Sequence, residues 1–187
     1  RDRAMMSQQQ FLSRITMGLT QSRIPFMVAG SMGSTHYGEP RSTNDIDIVV
    51  ELSEESIRDF ASSLGQSVYV SIPAALDALK NRSMFNVIDT TSGWKADLIV
   101  RKDREFSIEE FNRRTPATLL GVPVHLATPE DIVLSKLEWA QRSESERQIR
   151  DAASVVRTVG DEIDVAYLRK WAKELNVESL LDGILGE

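Results

Sequence analysis

At 187 residues, with 41% hydrophobic and 27% charged side chains, the chain has the length and composition of a globular domain with a sizeable core. It has no cysteine and two histidines, His36 and His125, which excludes disulfides and thiolate zinc sites and leaves little for a histidine-rich metal centre. The net charge of −6 lies mostly at the end: residues 1–128 carry 14 basic and 15 acidic side chains and residues 129–187 carry 8 and 13, which argues against a broad nucleic-acid-binding surface and leaves room only for a local basic groove.

No apolar run nears the length of a membrane span and no signal-peptide pattern is present, so no membrane contact is expected and cytoplasm is the expected location. The opening RDRAMM reads as a fragment end or an expression remnant. Residues 5–23 then read as an amphipathic helix, with Phe11, Leu12, Ile15 and Leu19 at helical spacing. Pro25 follows, and Phe26 to Ala29 is a short buried strand. Gly30 ends it, and Ser31 is the expected N-cap of a short helix to about Tyr37, broken by Gly38 and Pro40. Without a side chain Gly30 admits close approach to the backbone, and free amides with the Ser31 hydroxyl make an anion site; a plain helix cap explains the pair equally well.

Asp45 and Asp47 come next, inside an otherwise apolar strand, DIDIVV. Strand side chains alternate, so the two carboxylates share one face while Ile46, Ile48 and Val50 take the other. Two like charges held this close repel, and a hard divalent cation, magnesium or manganese, would relieve them. A bare pair of this kind also fits a strand end in solvent with Arg41 as counter-charge.

Residues 53–64 form a helix capped by Ser53, with Ile57, Phe60, Ala61 and Leu64 on its apolar face. Val68 to Val70 is a strand, and Pro73 opens a helix to about Asn81 that buries Leu76 and Leu79. Met84 to Ile88 and Trp94 to Val100 are strands joined by the turn TTSG, a hairpin. Asp97 interrupts the second of them, either as a structural partner of Lys95, Arg101 or a loop amide, or as the third member of a carboxylate set with Asp45 and Asp47. The basic clusters RKDR (101–104) and Arg113-Arg114 read as solvated loops. Residues 115–126 form an edge hairpin about Gly121 and Pro123. Thr128 caps a helix with Pro129 at its first position. Helical spacing continues over 129–142, 146–159 and 164–175, with a short tail helix to Leu185. Trp139 and Trp171 read as core anchors, and SESE (143–146) as a helix connection. A boundary falls near residue 127, giving a core of 1–127 and a helical C-terminal part of 128–187.

With Gly30-Ser31, Asp45-Ile46-Asp47 and Asp97 in this order, the sequence resembles the nucleotidyltransferase superfamily, the group that includes DNA polymerase beta. Its signature is Gly-Ser or Gly-Gly after a strand, a DxD strand soon after, and a third Asp on a later strand. The resemblance covers roughly residues 24–100. GSMGSTHYGEPRSTNDIDIVVEL looks like the small prokaryotic abortive-infection toxins and orphan nucleotidyltransferases, and ATPEDIVLSKLEWAQRSESERQIRDAASVV looks like their helical extension, with Lys136, Arg147, Arg150 and Asp151 where charged residues recur.

The resemblance implies an α/β (α+β) fold, a mixed sheet flanked by helices with a helical C-terminal part closing over a cleft. It implies transfer of a nucleoside monophosphate from an NTP to an acceptor, with Asp45, Asp47 and Asp97 on Mg2+ or Mn2+, and Gly30, Ser31, Arg41 and Lys136 toward the triphosphate. The acceptor stays open among a tRNA end, a protein and a small molecule such as an antibiotic, and a toxin of this group would stand beside an antitoxin protein. Two other readings stand next to it, a catalytically silent binding module and a metal-dependent phosphohydrolase. Lys136 taken alone reads as a surface lysine of an amphipathic helix.

Overall fold

The computed structural model describes residues 5–186; residues 1–4, most of the opening RDRAMM, lie outside the described residues. Helices α1 (Gln8–Gln21), α2 (Gly30–Tyr37), α3 (Glu54–Ser63), α4 (Ile72–Asn81), α5 (Glu105–Asn112), α6 (Pro129–Ser143), α7 (Glu146–Val159), α8 (Val165–Glu174) and α9 (Glu178–Leu185) surround a seven-stranded mixed sheet. Its strands are β1 (Phe26–Ala29), β2 (Asp45–Val50), β3 (Val68–Val70), β4 (Met84–Asp89), β5 (Lys95–Val100), β6 (Thr115–Leu119) and β7 (Val122–Leu126), in the order β3-β4-β5-β2-β1-β7-β6. β2 runs parallel to β5 and antiparallel to β1, and β1 runs parallel to β7.

The two faces of the sheet are covered unequally. Ile46, Ile48 and Val50 on β2 and Ala96, Leu98 and Val100 on β5 are fully buried, packed with Phe11, Leu12 and Ile15 of α1 and with Ile57 and Phe60 of α3. Their alternation with polar residues is the period-2 signal of a strand with one buried face. On the other face a second cluster gathers Met27, Ala127 and the helices α5 to α9, including Leu134, Leu137, Val155 and Trp171. The residues of that second face on β2 and β5, Asp45, Asp47, Lys95 and Asp97 among them, are not closed over, and a cleft lies there.

Local chemistry sets the ends of the elements. Ser7 and Gln10 form a reciprocal capping box on α1, and Ser53 and Ser56 do the same on α3. Thr128 accepts from the Asp131 amide with Pro129 at the first position of α6. Gly33 lets α2 lie against α6, since a Cβ there would come within 2.3 Å of Ile132 Cδ1.

Several expectations need correction. Residues 105–112, where no element is expected from the sequence, form helix α5. Leu76 and Leu79 are half-buried while Ala75 and Ala78 carry the buried face of α4. The basic clusters are not simply solvated: Arg101 pairs with Glu51, Arg104 with Glu138, and Arg113 with Glu130 and Asp131. Trp171 is buried as expected, but Trp139 is 58% exposed and anchors no core. It borders the cleft instead.

Candidate active site

The parallel pairing of β2 with β5 puts Asp47 directly beside Asp97, and Asp45 beside Lys95. Residues matched across neighbouring strands point to the same face, so Asp45, Asp47 and Asp97 share the open face of the sheet. Asp45 stands at the exposed start of β2, and Asp47 and Asp97 are half-buried.

Asp47 is the most constrained of the three. Burial, with the charges of Asp97 and Asp45 adding, pushes its carboxyl above the ordinary value; Lys136 and a hydrogen bond from the Ser31 amide work the other way. The carboxylate packs on Gly30: a Cβ at that position would lie 1.9 Å from Asp47 Oδ2. Gly30 also has φ +60°, a left-handed conformation that favours glycine. The turn out of β1 thus admits only glycine for two separate reasons.

Ser31 is not the cap of α2. Ala29 holds the N-cap position and gives no side-chain hydrogen bond. The Ser31 hydroxyl instead accepts from Arg41 Nη2 at 2.7 Å and from Lys136 Nζ at 3.2 Å. Both cations also share Asp151, with Arg41 Nε 3.1 Å from Oδ1, Arg41 Nη2 2.7 Å from Oδ2, and Lys136 Nζ 2.9 Å from Oδ2. Lys136 is 4% exposed and is no surface lysine. Burial lowers its affinity for the proton, against the hydrogen bond and charge of Asp151. Burial works against ionisation of Asp151, yet the hydrogen bonds from Arg41 and Lys136 outweigh it and hold that carboxyl below its ordinary value. Four residues from α2, the loop before β2, α6 and α7 therefore meet at one point beside Asp47.

The counter-charge nearest the acidic set is Lys95, not Arg41. Its Nζ lies 3.4 Å from Asp97 Oδ1 and 3.8 Å from Asp45 Oδ1. Slight burial opposes its charge, but Asp97 and then Asp45 raise its affinity for the proton above the ordinary value. Asn86 of β4, in register with Asp97, donates its amide to the same carboxylate. The expectation that Asp97 pairs with Lys95 and the expectation that it stands beside Asp47 are therefore both met. Among the described residues no three carboxylate or imidazole side chains are drawn into a ready metal cage. An ammonium group, that of Lys95, lies against two of the three carboxylates.

The donor set nonetheless suits a hard divalent cation. It consists of carboxylate oxygens alone on two adjacent strands, and the carboxylate between the other two is the one whose ionisation its neighbours oppose. Two hollows meet at this point. One, of 400 Å³, contains Asp45, Asp47 and Asp97 with Ser31, Arg41 and Arg147 on its walls. The other, of 310 Å³, starts at Gly30, Ser31 and Asp47 and runs the other way along β2 and β5. Trp139 and Gln148 border both.

The fold matches those of solved structures. Over 96% of its length the chain superimposes on 98% of the antibiotic-resistance factor ANT(2″)-Ia in solution, with a TM-score of 0.59 at 14% identity. A crystal structure of ANT(2″)-Ia in complex with adenylyl-2″-tobramycin gives a TM-score of 0.59 at 15% identity, covering 90% of this chain and 98% of that one. The fold is that of the nucleotidyltransferases. An antigenic nucleotidyltransferase-like protein from Paracoccidioides brasiliensis is similar as well, with a TM-score of 0.51 at 15% identity over 93% of this chain and 91% of that one. No family model matches the sequence, and no curated protein matches it either.

Sequence reasoning did not single out Lys95, Asn86, Trp139 or Lys102 as cleft residues. Lys95 and Asn86 become visible only through the strand register. For Trp139 the usable signal was its spacing of three from Lys136, which puts both on one face of α6.

Proposed function

We propose that the chain is a metal-dependent nucleotidyltransferase that moves a nucleoside monophosphate from an NTP to an acceptor hydroxyl or phosphate. The observation that carries this reading is the register of Asp47 against Asp97 with Asp47 packed on Gly30, which puts a carboxylate pair beside a Gly-Ser turn. An acceptor oxygen bonds to the α-phosphorus, the bond from that phosphorus to its bridging oxygen breaks, and pyrophosphate leaves. The acceptor proton passes to Asp97 and then to solvent. Asp45, Asp47 and Asp97 would hold Mg2+ or Mn2+, which when bound neutralises phosphate charge and favours the ionised acceptor. The Gly30-Ser31 turn receives the β- and γ-phosphates. Arg41 and Lys136, held by Asp151 on either side of the Ser31 hydroxyl, supply positive charge to the same phosphates. Positioning and charge neutralisation are most of what phosphoryl transfer requires of a protein.

ANT(2″)-Ia was solved with adenylyl-2″-tobramycin; from that we take to this chain the nucleotidyl transfer and not the acceptor. A toxin role with an antitoxin partner rests on the sequence resemblance, and growth arrest of cells expressing the chain alone is its test.

The test of transfer is pyrophosphate release from each NTP with magnesium and a cell extract as acceptor source. Asp47→Asn removes a charge whose neighbours oppose it, so the variant folds and turnover disappears. Unchanged turnover in that variant refutes the assignment. Turnover that needs no acceptor but water supports the phosphohydrolase instead.

A further inference from the structure

The cavity that runs away from the carboxylates has a far half that phosphoryl transfer alone does not call for. Its floor follows from the strand period: after Asp47 and Asp97 the next residues on that face are Val49 and Ile99, and Met84 of β4 lies opposite Ile99. Its roof is one face of α6, where Lys136, Trp139 and Arg142 follow at helical spacing. Trp139, 58% exposed, borders both hollows at their junction. A tryptophan kept out of the core and set over an apolar floor is a platform for a flat ring.

The far end is positive. Arg104 gives both terminal nitrogens to Glu138 at 2.6 Å, and Arg142 shares that carboxylate at 2.8 Å. Arg82 and Arg101 at the rim are paired with Asp103 and Glu51. Lys102 has no hydrogen-bond or ion-pair partner for its ammonium among the described residues. Burial disfavours its charge and the cations of Arg104 and Arg142 disfavour it further, against the smaller opposite effect of Glu138 and Glu110. Glu110, which lines the cavity with Glu138, is pushed up to about 8 by burial and by the charge of Asp131, so it is mostly neutral at pH 7. An unpaired ammonium among guanidinium groups is complementary to an anion and repels a polycation.

We propose that this cavity is the acceptor subsite and takes a phosphate-bearing acceptor with a flat ring, the ring on Trp139 and the phosphate on Lys102. The proposal rests on the transfer reading above. A free nucleotide and the end of a nucleic-acid strand present the same chemistry.

The experiment fills the NTP site of the whole chain with a non-hydrolysable ATP analogue and magnesium. It then measures binding of cytidine monophosphate and of a fluorescein-labelled RNA hexamer with a free 3′ hydroxyl, with spermine as competitor. At least one phosphate probe binds, and spermine at equal concentration does not displace it from the protein. Lys102→Ala weakens binding about tenfold or more and Lys102→Arg restores most of it; Trp139→Ala weakens it similarly and Trp139→Phe restores most of it. Binding of the monophosphate assigns a small nucleotide; binding of the hexamer alone assigns a strand end. The proposal is overturned if neither phosphate probe binds, if spermine itself binds the cavity more tightly than both, or if Lys102→Ala leaves both affinities unchanged. NTP turnover measured beside probe binding keeps the two readings apart. Probe binding without any NTP turnover in the unaltered chain removes the transfer reading, and turnover without probe binding removes the subsite.

Discussion

Gly30→Ala tests the central contact of the site. The new methyl carbon would sit 1.9 Å from Asp47 Oδ2, 2.7 Å from its Cγ and 2.8 Å from its Cβ, so the Asp47 side chain and its backbone must both give way. An alanine at φ +60° costs about 1–2 kcal/mol by itself. Displacing the carboxylate from the Ser31 amide removes a charge-assisted hydrogen bond, about 1.5–3 kcal/mol. Relief of repulsion between Asp47 and Asp97 offsets part of that, and a net loss of about 3 kcal/mol is expected. For a chain of this length that lowers the melting temperature by about 6–12 °C. Gly93→Ala is the matched control, since Gly93 has φ +79° and nothing within 4 Å of a new Cβ. Urea unfolding of both variants separates the conformational cost from the collision. If Gly30→Ala loses no more stability than Gly93→Ala, the packing of Asp47 on the Gly-Ser turn is refuted.

Other perturbations reach other parts of the cleft. Glu110 keeps its proton to about pH 8 in the folded chain against an ordinary value of 4.5, so the folded state binds more protons across that window. Stability therefore falls as pH rises from about 4.5 to 8, by at most about 1.4 kcal/mol per pH unit. Glu110→Gln should flatten this dependence, and parallel urea midpoints for the two proteins from pH 5 to 8.5 would count against it. Asp151→Asn leaves Arg41 and buried Lys136 without their shared anion and should cost about 3 kcal/mol; a loss under about 1 kcal/mol by chemical denaturation would show that the two cations find solvent or another partner. Lys95→Met removes the ammonium lying against Asp45 and Asp97. Exposed pairs are worth under about 1 kcal/mol, so the metal-free protein changes little. Magnesium should then raise its melting temperature more than it raises that of the unaltered chain, and equal rises would contradict the role of Lys95 as a competing cation.

How much of this was legible before folding depends on the range of the interaction that decides each residue. Strand period, turn residues and caps act within a few residues. They place Asp45 and Asp47 on one face, set Ser53 and Thr128 at helix starts and bound the hairpin from Met84 to Val100. Helix α5 escaped notice because its two buried aromatics, Phe106 and Phe111, are five residues apart with glutamates between, and its third buried residue is Ser107. Ser31 followed the composition of a cap and was wrong for a long-range reason: Arg41 and Lys136, the latter 105 residues away, claim its hydroxyl. Lys136 and Trp139 exchanged the burial expected of them. The lysine is buried because Asp151 meets it, and the tryptophan is exposed because it stands where the two hollows meet, held off the sheet by the cavity between them.

The polarity of the cleft has a simple origin in the alternation of one strand. Along its open face β5 and the residue after it present Lys95, Asp97, Ile99 and Arg101 in turn, and β2 beside it presents Asp45, Asp47 and Val49. Acid, apolar and basic zones thus succeed one another about 7 Å apart without any loop arranging them. α6 runs over the same zones with Lys136 by the acids, Trp139 at the junction of the two hollows and Arg142 over the basic end. A ligand lying along the strands would meet carboxylates at one end and free positive charge at the other. The orientation of an acceptor whose hydroxyl must reach Asp97 is then fixed by where its own negative charge lies. Reversing the charge at Lys102 should therefore abolish productive orientation while leaving the carboxylate set intact, a separation that a uniformly charged cleft could not give.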